Sequence, residues 1–155
     1  MNVNIICVGK IKEKYIQDGI NEFLKRMQAF AKVNICEVKE DGNDKDRNIS
    51  IKKESSEIIK ILEKNRGYSI LLDISGNFYS SEEMSKTIEN IGIAGTNTIN
   101  FIVGGSYGVS DEIRKISNLR LSFSKMTFPH QLMRLILLEQ VYRWYGIINN
   151  NKYHK

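Results

Sequence analysis

Three stretches of this chain bring together residue types that can do chemistry. The first is Val103-Gly104-Gly105-Ser106-Tyr107-Gly108, where an apolar run ends in glycines that let a ligand approach the backbone at the carboxyl end of a strand. It is not a dinucleotide fingerprint, which needs Gly-x-Gly-x-x-Gly, and the helix expected after it opens with Asp111 and Glu112, two carboxylates that repel a pyrophosphate. These acids tolerate a neutral or cationic ligand, and they serve equally as ordinary charges complementing a helix dipole. The second stretch, Ser122-Phe123-Ser124-Lys125-Met126-Thr127-Phe128-Pro129-His130, mixes hydroxyls with apolar groups ahead of a helix. It reads either as a loop that wraps a small ligand with backbone groups or as a tight strand-to-helix connection. The third is the tail, Asn149-Asn150-Asn151-Lys152-Tyr153-His154-Lys155. Its aromatic ring and histidine between lysines suit a nucleobase on a phosphate chain, although tails of this kind also fray.

Other chemistries lack their residues. The cysteines Cys7 and Cys36 and the histidines His130 and His154 have none of the spacings of a metal site, so no metal is expected. A Walker loop and a Gly-x-Ser-x-Gly elbow are both missing. Both cysteines lie in apolar strand-like runs and read as core residues. Neither an export signal nor an apolar stretch of membrane length is present, so a cytoplasmic setting without a membrane partner is expected.

Charge is unevenly placed. The chain of 155 residues carries a formal +5, with 41% hydrophobic and 26% charged residues, which suits one globular domain rather than a disordered chain. From Arg114 onward there are eight basic residues and one acid, Glu139, a balance of 8 − 1 = +7, which leaves 5 − 7 = −2 for the rest. This asymmetry points to an anionic partner met by the last quarter, or to chance clustering on a solvated face.

The elements that must position these stretches follow from periodicity. Strands are expected at Val3–Val8, Val33–Val38, Tyr68–Ile74, Thr98–Val103 and Leu119–Phe123, with a turn at Ser75-Gly76-Asn77 and a loop over Glu40–Asn48. Helices are expected over Ile11–Phe30, over about Ser50–Asn65, after a cap at Ser80 or Ser81, briefly from Ser110, and over Pro129–Ile148. Alternating strands and helices argue for an α/β fold, a mostly parallel sheet with helices on both faces. The last helix is apolar around nearly its whole circumference, which predicts burial on more than one side and a second subunit about a two-fold axis.

Taken together, these places resemble the ribosomal RNA large subunit methyltransferase H family of the SPOUT class. The resemblance rests on Val3 to Gly9, on Leu71-Leu72-Asp73 with Gly76, and on Ile102-Val103-Gly104-Gly105. It continues through Leu121-Ser122, Thr127-Phe128-Pro129-His130, Leu138-Glu139-Gln140-Val141-Tyr142-Arg143 and Tyr153-His154, and it spans essentially the whole chain, residues 1–155, as one domain. It implies methyl transfer from S-adenosylmethionine to N3 of a pseudouridine in 23S ribosomal RNA on the assembled ribosome, by a homodimer with a trefoil knot in its carboxyl-terminal half. It also implies that Leu72, Gly104, Ser124, Lys125, Met126, Thr127, Phe128 and Pro129 hold the cofactor, with Tyr153 and His154 on the target-nucleotide side. His154 is the candidate for accepting the N3 proton or orienting the base, or it contacts only the RNA backbone. Tyr153 is the candidate for stacking on the base. Arg134, Arg143, Lys152 and Lys155 are candidates for phosphate, and Arg143 alternatively pairs with Glu139 one turn away. Two positions depart from the family: Ser106-Tyr107 stand where Pro-Glu is common, and Lys155 where arginine is common. The second reading is a non-catalytic RNA-binding or ribosome-associated module on an α/β shell.

Overall fold

A computed structural model of the chain describes residues 1–42 and 45–154, the side chain of His154 excepted. Five strands, β1 (Asn2–Val8), β2 (Lys32–Val38), β3 (Tyr68–Phe78), β4 (Thr98–Val103) and β5 (Leu119–Ser122), form one sheet in the order β2-β1-β4-β3-β5. Every pairing is parallel. The helices are α1 (Lys14–Met27), α2 (Arg47–Lys64), α3 (Ser81–Ile93), α4 (Asp111–Ile116) and α5 (His130–Ile148), and a short 3-10 turn covers Lys152–His154.

Strand alternation decides which helices lie where. Val3, Ile5 and Cys7 of β1, with Ile99, Phe101 and Val103 of β4, meet α1, α3 and α5 on one face. Ile6 and Val8, with Leu71 and Ile102, meet Ile58 of α2 and Ile113 of α4 on the other. On that second face the register is locked by amides: Asn34 donates to Asn4 (3.1 Å), Asn4 to Asn100 (2.8 Å), and Asn100 to the carbonyl of Asn65 just past α2 (2.7 Å). A one-residue slip would break every link of this ladder, whose central Asn4 and Asn100 are buried. Cys7 is buried and its thiol is pushed up to about 12, chiefly by desolvation, which leaves it an inert core group; Cys36 is only half-buried, because edge strand β2 has one open side.

Some boundaries differ from the expected ones for local reasons. α2 starts at Arg47 because the Asp46 carboxylate accepts from the amides of Asn48 and Ile49, a cap that hydrophobic periodicity does not register. Ser80 caps α3 through a reciprocal pair with Glu83. The expected turn at Ser75-Gly76-Asn77 is an excursion inside β3. Leu72 and Asn77 both face Leu121, so residues 73–76 leave the ladder and the strand resumes beside β5. Gly76 is required there, since a Cβ would stand 2.6 Å from the carbonyl oxygen of Arg120.

Helix α5 runs between α1 and α3 over the sheet, and none of its residues is fully exposed. Phe23 and Phe30 pack against Tyr142, and Phe101 and Phe123 against Trp144. Its seven buried residues are met within the protomer, while the other twelve, Ile136 and Ile147 among them, are only partly buried.

Arg134 is the main correction. Expected on a phosphate, it is 1% exposed, with its guanidinium bonded to Glu37 (3.1 Å) and to the carbonyls of Gly9 (2.9 Å) and Val8 (3.4 Å). Its spacing on α5 turns it inward, where it ties the helix start to the ends of β1 and β2. Arg134→Ala should cost about 3 kcal/mol in urea unfolding, since both carbonyls lose a charged donor. A loss below about 0.5 kcal/mol would show that the clamp contributes little.

Candidate active site

The parallel sheet places the ends of β3, β4 and β5 together, and a cavity of about 740 Å³ opens there. That is the size range of small-molecule sites. Its walls are Leu72–Ile74 from β3, the loop Val103–Val109 after β4, and Leu121–Ser124 with Met126–His130 after β5. Arg114 and Met133 complete it.

The glycine loop is tightly built. Gly105 and Gly108 form an isolated antiparallel bridge, and Gly108 has a φ of 86°, which favours glycine. A Cβ on Gly104 would stand 3.0 Å from Cγ1 of Val109 and 3.1 Å from the carbonyl carbon of Gly108. Consecutive residues of α2 meet both ends of this loop from behind. Oε1 of Glu54 lies 3.0 Å from the position of a Gly105 Cβ, and the Ser55 hydroxyl accepts from the amide of Ser110 (3.0 Å).

On the opposite wall sits Asp73, in the excursion of β3, its side chain 8% exposed. Burial alone would raise its carboxyl. The Ser75 amide and hydroxyl, at 3.0 and 2.9 Å, and the Arg120 guanidinium at 2.8 Å outweigh that and hold it below the usual carboxylate range. Arg114 adds a contact at 3.4 Å and also binds Asp111 and the carbonyl of Val109. Both arginines are thus occupied by acids. At the helix start, Nε2 of His130 is buried without a hydrogen-bond partner among the described residues, on the side facing Gly9 and Glu40.

Of the residues expected to hold a ligand, Leu72, Gly104, Ser124, Met126, Thr127, Phe128 and Pro129 line this cavity, while Lys125 points to solvent from the same loop. The residues expected on the RNA side stand elsewhere. Tyr153 packs edge-on against Tyr142 (4.7 Å between ring centres), hydrogen-bonds Glu139 at 3.3 Å, and lies beneath the guanidinium groups of Arg143 and Arg26 at 5.1 and 5.9 Å. At 1.5 Å per helical residue, the contact near Tyr142 is about 14 Å along α5 from Met133 and the cavity. Arg143 pairs with Glu139, the alternative open in the sequence, and Lys152 is exposed. Lys155 and the side chain of His154 lie outside the described residues. The +7 of the last quarter is smaller at the surface than in the sequence. Arg114, Arg120, Arg134 and Arg143 all have acidic partners, and Lys115, Lys125 and Lys152 are the cations of this quarter left unpaired among the described residues.

Residues 1–154 match the family described as "Predicted SPOUT methyltransferase". The chain belongs to the SPOUT methyltransferase family. Within it, the chain is 59% identical over 155 residues to the ribosomal RNA large subunit methyltransferase H of Fusobacterium nucleatum, and each covers the other completely. The protein of the same name from Clostridioides difficile is 48% identical over 163 residues, again with complete coverage of both. Two solved structures share the fold at 12% identity. One is a "probable methylase family protein" from Haemophilus influenzae, with a TM-score of 0.56 over 99% of this chain and 70% of that one. The other is the SpoU methyltransferase AviRb from Streptomyces viridochromogenes in complex with AdoMet, with a TM-score of 0.50 over 97% and 61%.

Two elements of this cavity escaped sequence reasoning, the pairing of Asp73 with two arginines and the polar face of α2 behind the glycine loop, while His130 stood in the second stretch without an assigned role. Asp73 had a usable signal, since Asp-x-Ser is a side-chain turn that interrupts a strand. Because its folded-state pKa is depressed, the stability Asp73 contributes is complete above its unfolded value near 3.8 and is lost as pH falls through the lower folded value. Asp73→Asn should therefore lower stability by about 1–2 kcal/mol at pH 7 and flatten the acid limb of thermal unfolding. An acid limb identical to that of the unmodified protein would rule out this role.

Proposed function

We propose that this protein transfers the methyl group of S-adenosylmethionine to N3 of a pseudouridine in 23S ribosomal RNA, acting in the cytoplasm on the assembled ribosome. The observation that carries the reading is the cavity at the ends of β3, β4 and β5, lined by the glycine loop and by the loop that follows β5, in a SPOUT chain 59% identical to a ribosomal RNA large subunit methyltransferase.

The residues present fit that donor. Leu72, Val103, Val109, Leu121 and Met133 offer apolar walls for a nucleoside, and the bare backbone of Gly104 and Gly105 offers amides and carbonyls at close range. Among the described residues a phosphate meets no free lysine or arginine on the walls, because Arg114 is held by Asp73 and Asp111. When bound, S-adenosylmethionine supplies an electrophilic methyl carbon on a sulfonium sulfur. The chain contributes position: Gly104 and the segment Ser124–Pro129 enclose the donor, and most of the rate gain comes from holding carbon and nitrogen in line. N3 of neutral pseudouridine carries a proton that must leave, and His154 accepts it or orients the base while Tyr153 stacks on the base.

A homodimer reconciles this with the position of the tail. Tyr153 lies on the flank of α5, about 14 Å along the helix from the cavity of its own protomer, so a tail acting at the methyl group reaches the cavity of a second copy. Loops 104–108 and 122–130 form part of a trefoil knot in the carboxyl-terminal half. Lys152 and Lys155 contact phosphate, and Lys125, on the outer side of its loop, does so more readily than it touches the cofactor.

Purified protein given S-adenosylmethionine labelled in the methyl group should label 70S ribosomes and leave naked 23S RNA nearly unlabelled. Gly104→Val, whose branches meet Val109 and Gly108, should weaken donor binding by about tenfold or more. His154→Ala should retain donor binding and lose transfer. Binding of ribosomes without any transferred label would instead favour a non-catalytic module.

A further inference from the structure

We propose that Glu54 is a charge-selectivity residue of this cavity: its carboxylate, buried directly behind Gly105, favours the cationic sulfonium donor over the neutral thioether left after transfer. The proposal rests on the reading that the cavity holds S-adenosylmethionine.

Glu54 lies on the inner face of α2 and is 5% exposed. Its Oε2 accepts from the amide of Asp41 at 2.9 Å. Its Oε1 lies 3.0 Å from where a Gly105 Cβ would be, and Gly105 is part of the cavity wall. Since glycine has no side chain, this carboxylate packs against the backbone of a wall residue while itself standing outside the lining. No cation pairs with it among the described residues.

The surroundings leave it without compensation. From the loop before α2 come Glu40 and Asp41, both negative, and Lys53 lies 4.0 Å from Asp41 rather than on Glu54. Arg47 is stacked on Tyr107, 4.9 Å from its ring centre. β1 presents Val8, and α4 presents Ser110 through Ser55. Arg114, the arginine that lines the cavity, is held by Asp73 and Asp111. Burial, then the charges of Glu40 and Asp41, raise the carboxyl of Glu54, against a lowering by the Asp41 amide. A buried carboxylate without a cation is costly for the fold, and a cationic ligand in the adjoining cavity supplies the missing charge.

Donor and product differ by one methyl group and by one positive charge at sulfur. A unit charge about 10 Å away through a partly buried medium changes affinity by about tenfold. Glu54 thereby holds the donor and releases the product. Because its carboxyl is raised, the preference is full where it is ionised and fades as pH falls through its folded value.

The test is calorimetric titration of the full-length protein and of Glu54→Gln with S-adenosylmethionine and S-adenosylhomocysteine between pH 5 and pH 8. In the variant, donor affinity should drop about tenfold while product affinity holds or rises, so their ratio collapses. On acidification the ratio should fall in the unmodified protein and stay level in the variant, which separates Glu54 from Asp73 and His130, ionisable groups that line this cavity. An unchanged ratio, or equal weakening of both ligands as expected from mere loop support, overturns the proposal. If neither ligand binds the unmodified protein, the cofactor reading falls and takes this inference with it.

Discussion

The structure depends on one buried cation. Arg134 enters α5 one turn after its start and places its guanidinium on the carbonyls of Val8 and Gly9 and on Glu37, at the carboxyl ends of β1 and β2. A helix fixed there by its first turns obliges the chain leaving β5, at the far edge of the sheet, to cross the carboxyl ends of the strands between them. That crossing is the segment 123–129. It becomes a wall of the cavity because its far end is anchored, and the charge–dipole bonds that anchor it have almost no water to compete with them.

The cavity has one wall whose charges cancel and one that is negative. On the β3 side, Asp73 binds two arginines and a serine turn, so its charges cancel locally and the wall is stiff. On the α2 side, the backbone of the glycine loop rests on Glu54 and Ser55, and no cation among the described residues pairs with the carboxylate. A small ligand with net positive charge suits that combination, whereas a polyphosphate finds no free lysine or arginine on the walls among the described residues, and no favourable field. The donor of the family and the electrostatics of the cavity therefore agree for independent reasons.

Much of the fold was legible because a sheet buried on both faces writes continuous apolar runs, such as Ile5-Ile6-Cys7-Val8 and Ile70-Leu71-Leu72, and these are hard to mistake. The two loops that line the cavity were legible as glycine and proline punctuation at strand ends. Polar burial was not. Arg134, Glu54 and Asp73 look like surface charges in sequence, because their partners are distant in the chain: Glu37 is 97 positions from Arg134, and Arg120 is 47 from Asp73. For the same reason the summed charge of the last quarter overstated what it presents to a polyanion, with half of its cations spent on internal acids. Residues of the tail were legible as chemistry but not as geometry, since nothing local in sequence says that Tyr153 lies against Tyr142 and Arg26.

The most direct test of the central claim, that this cavity methylates a pseudouridine of the large ribosomal subunit, is mass mapping of 23S RNA from a strain lacking the gene, with the gene restored in parallel. One pseudouridine should lose one methyl mass in the deletion and regain it on complementation with the unmodified protein, and not with Gly104→Val. A 23S RNA of identical modification content in all strains would contradict the claim.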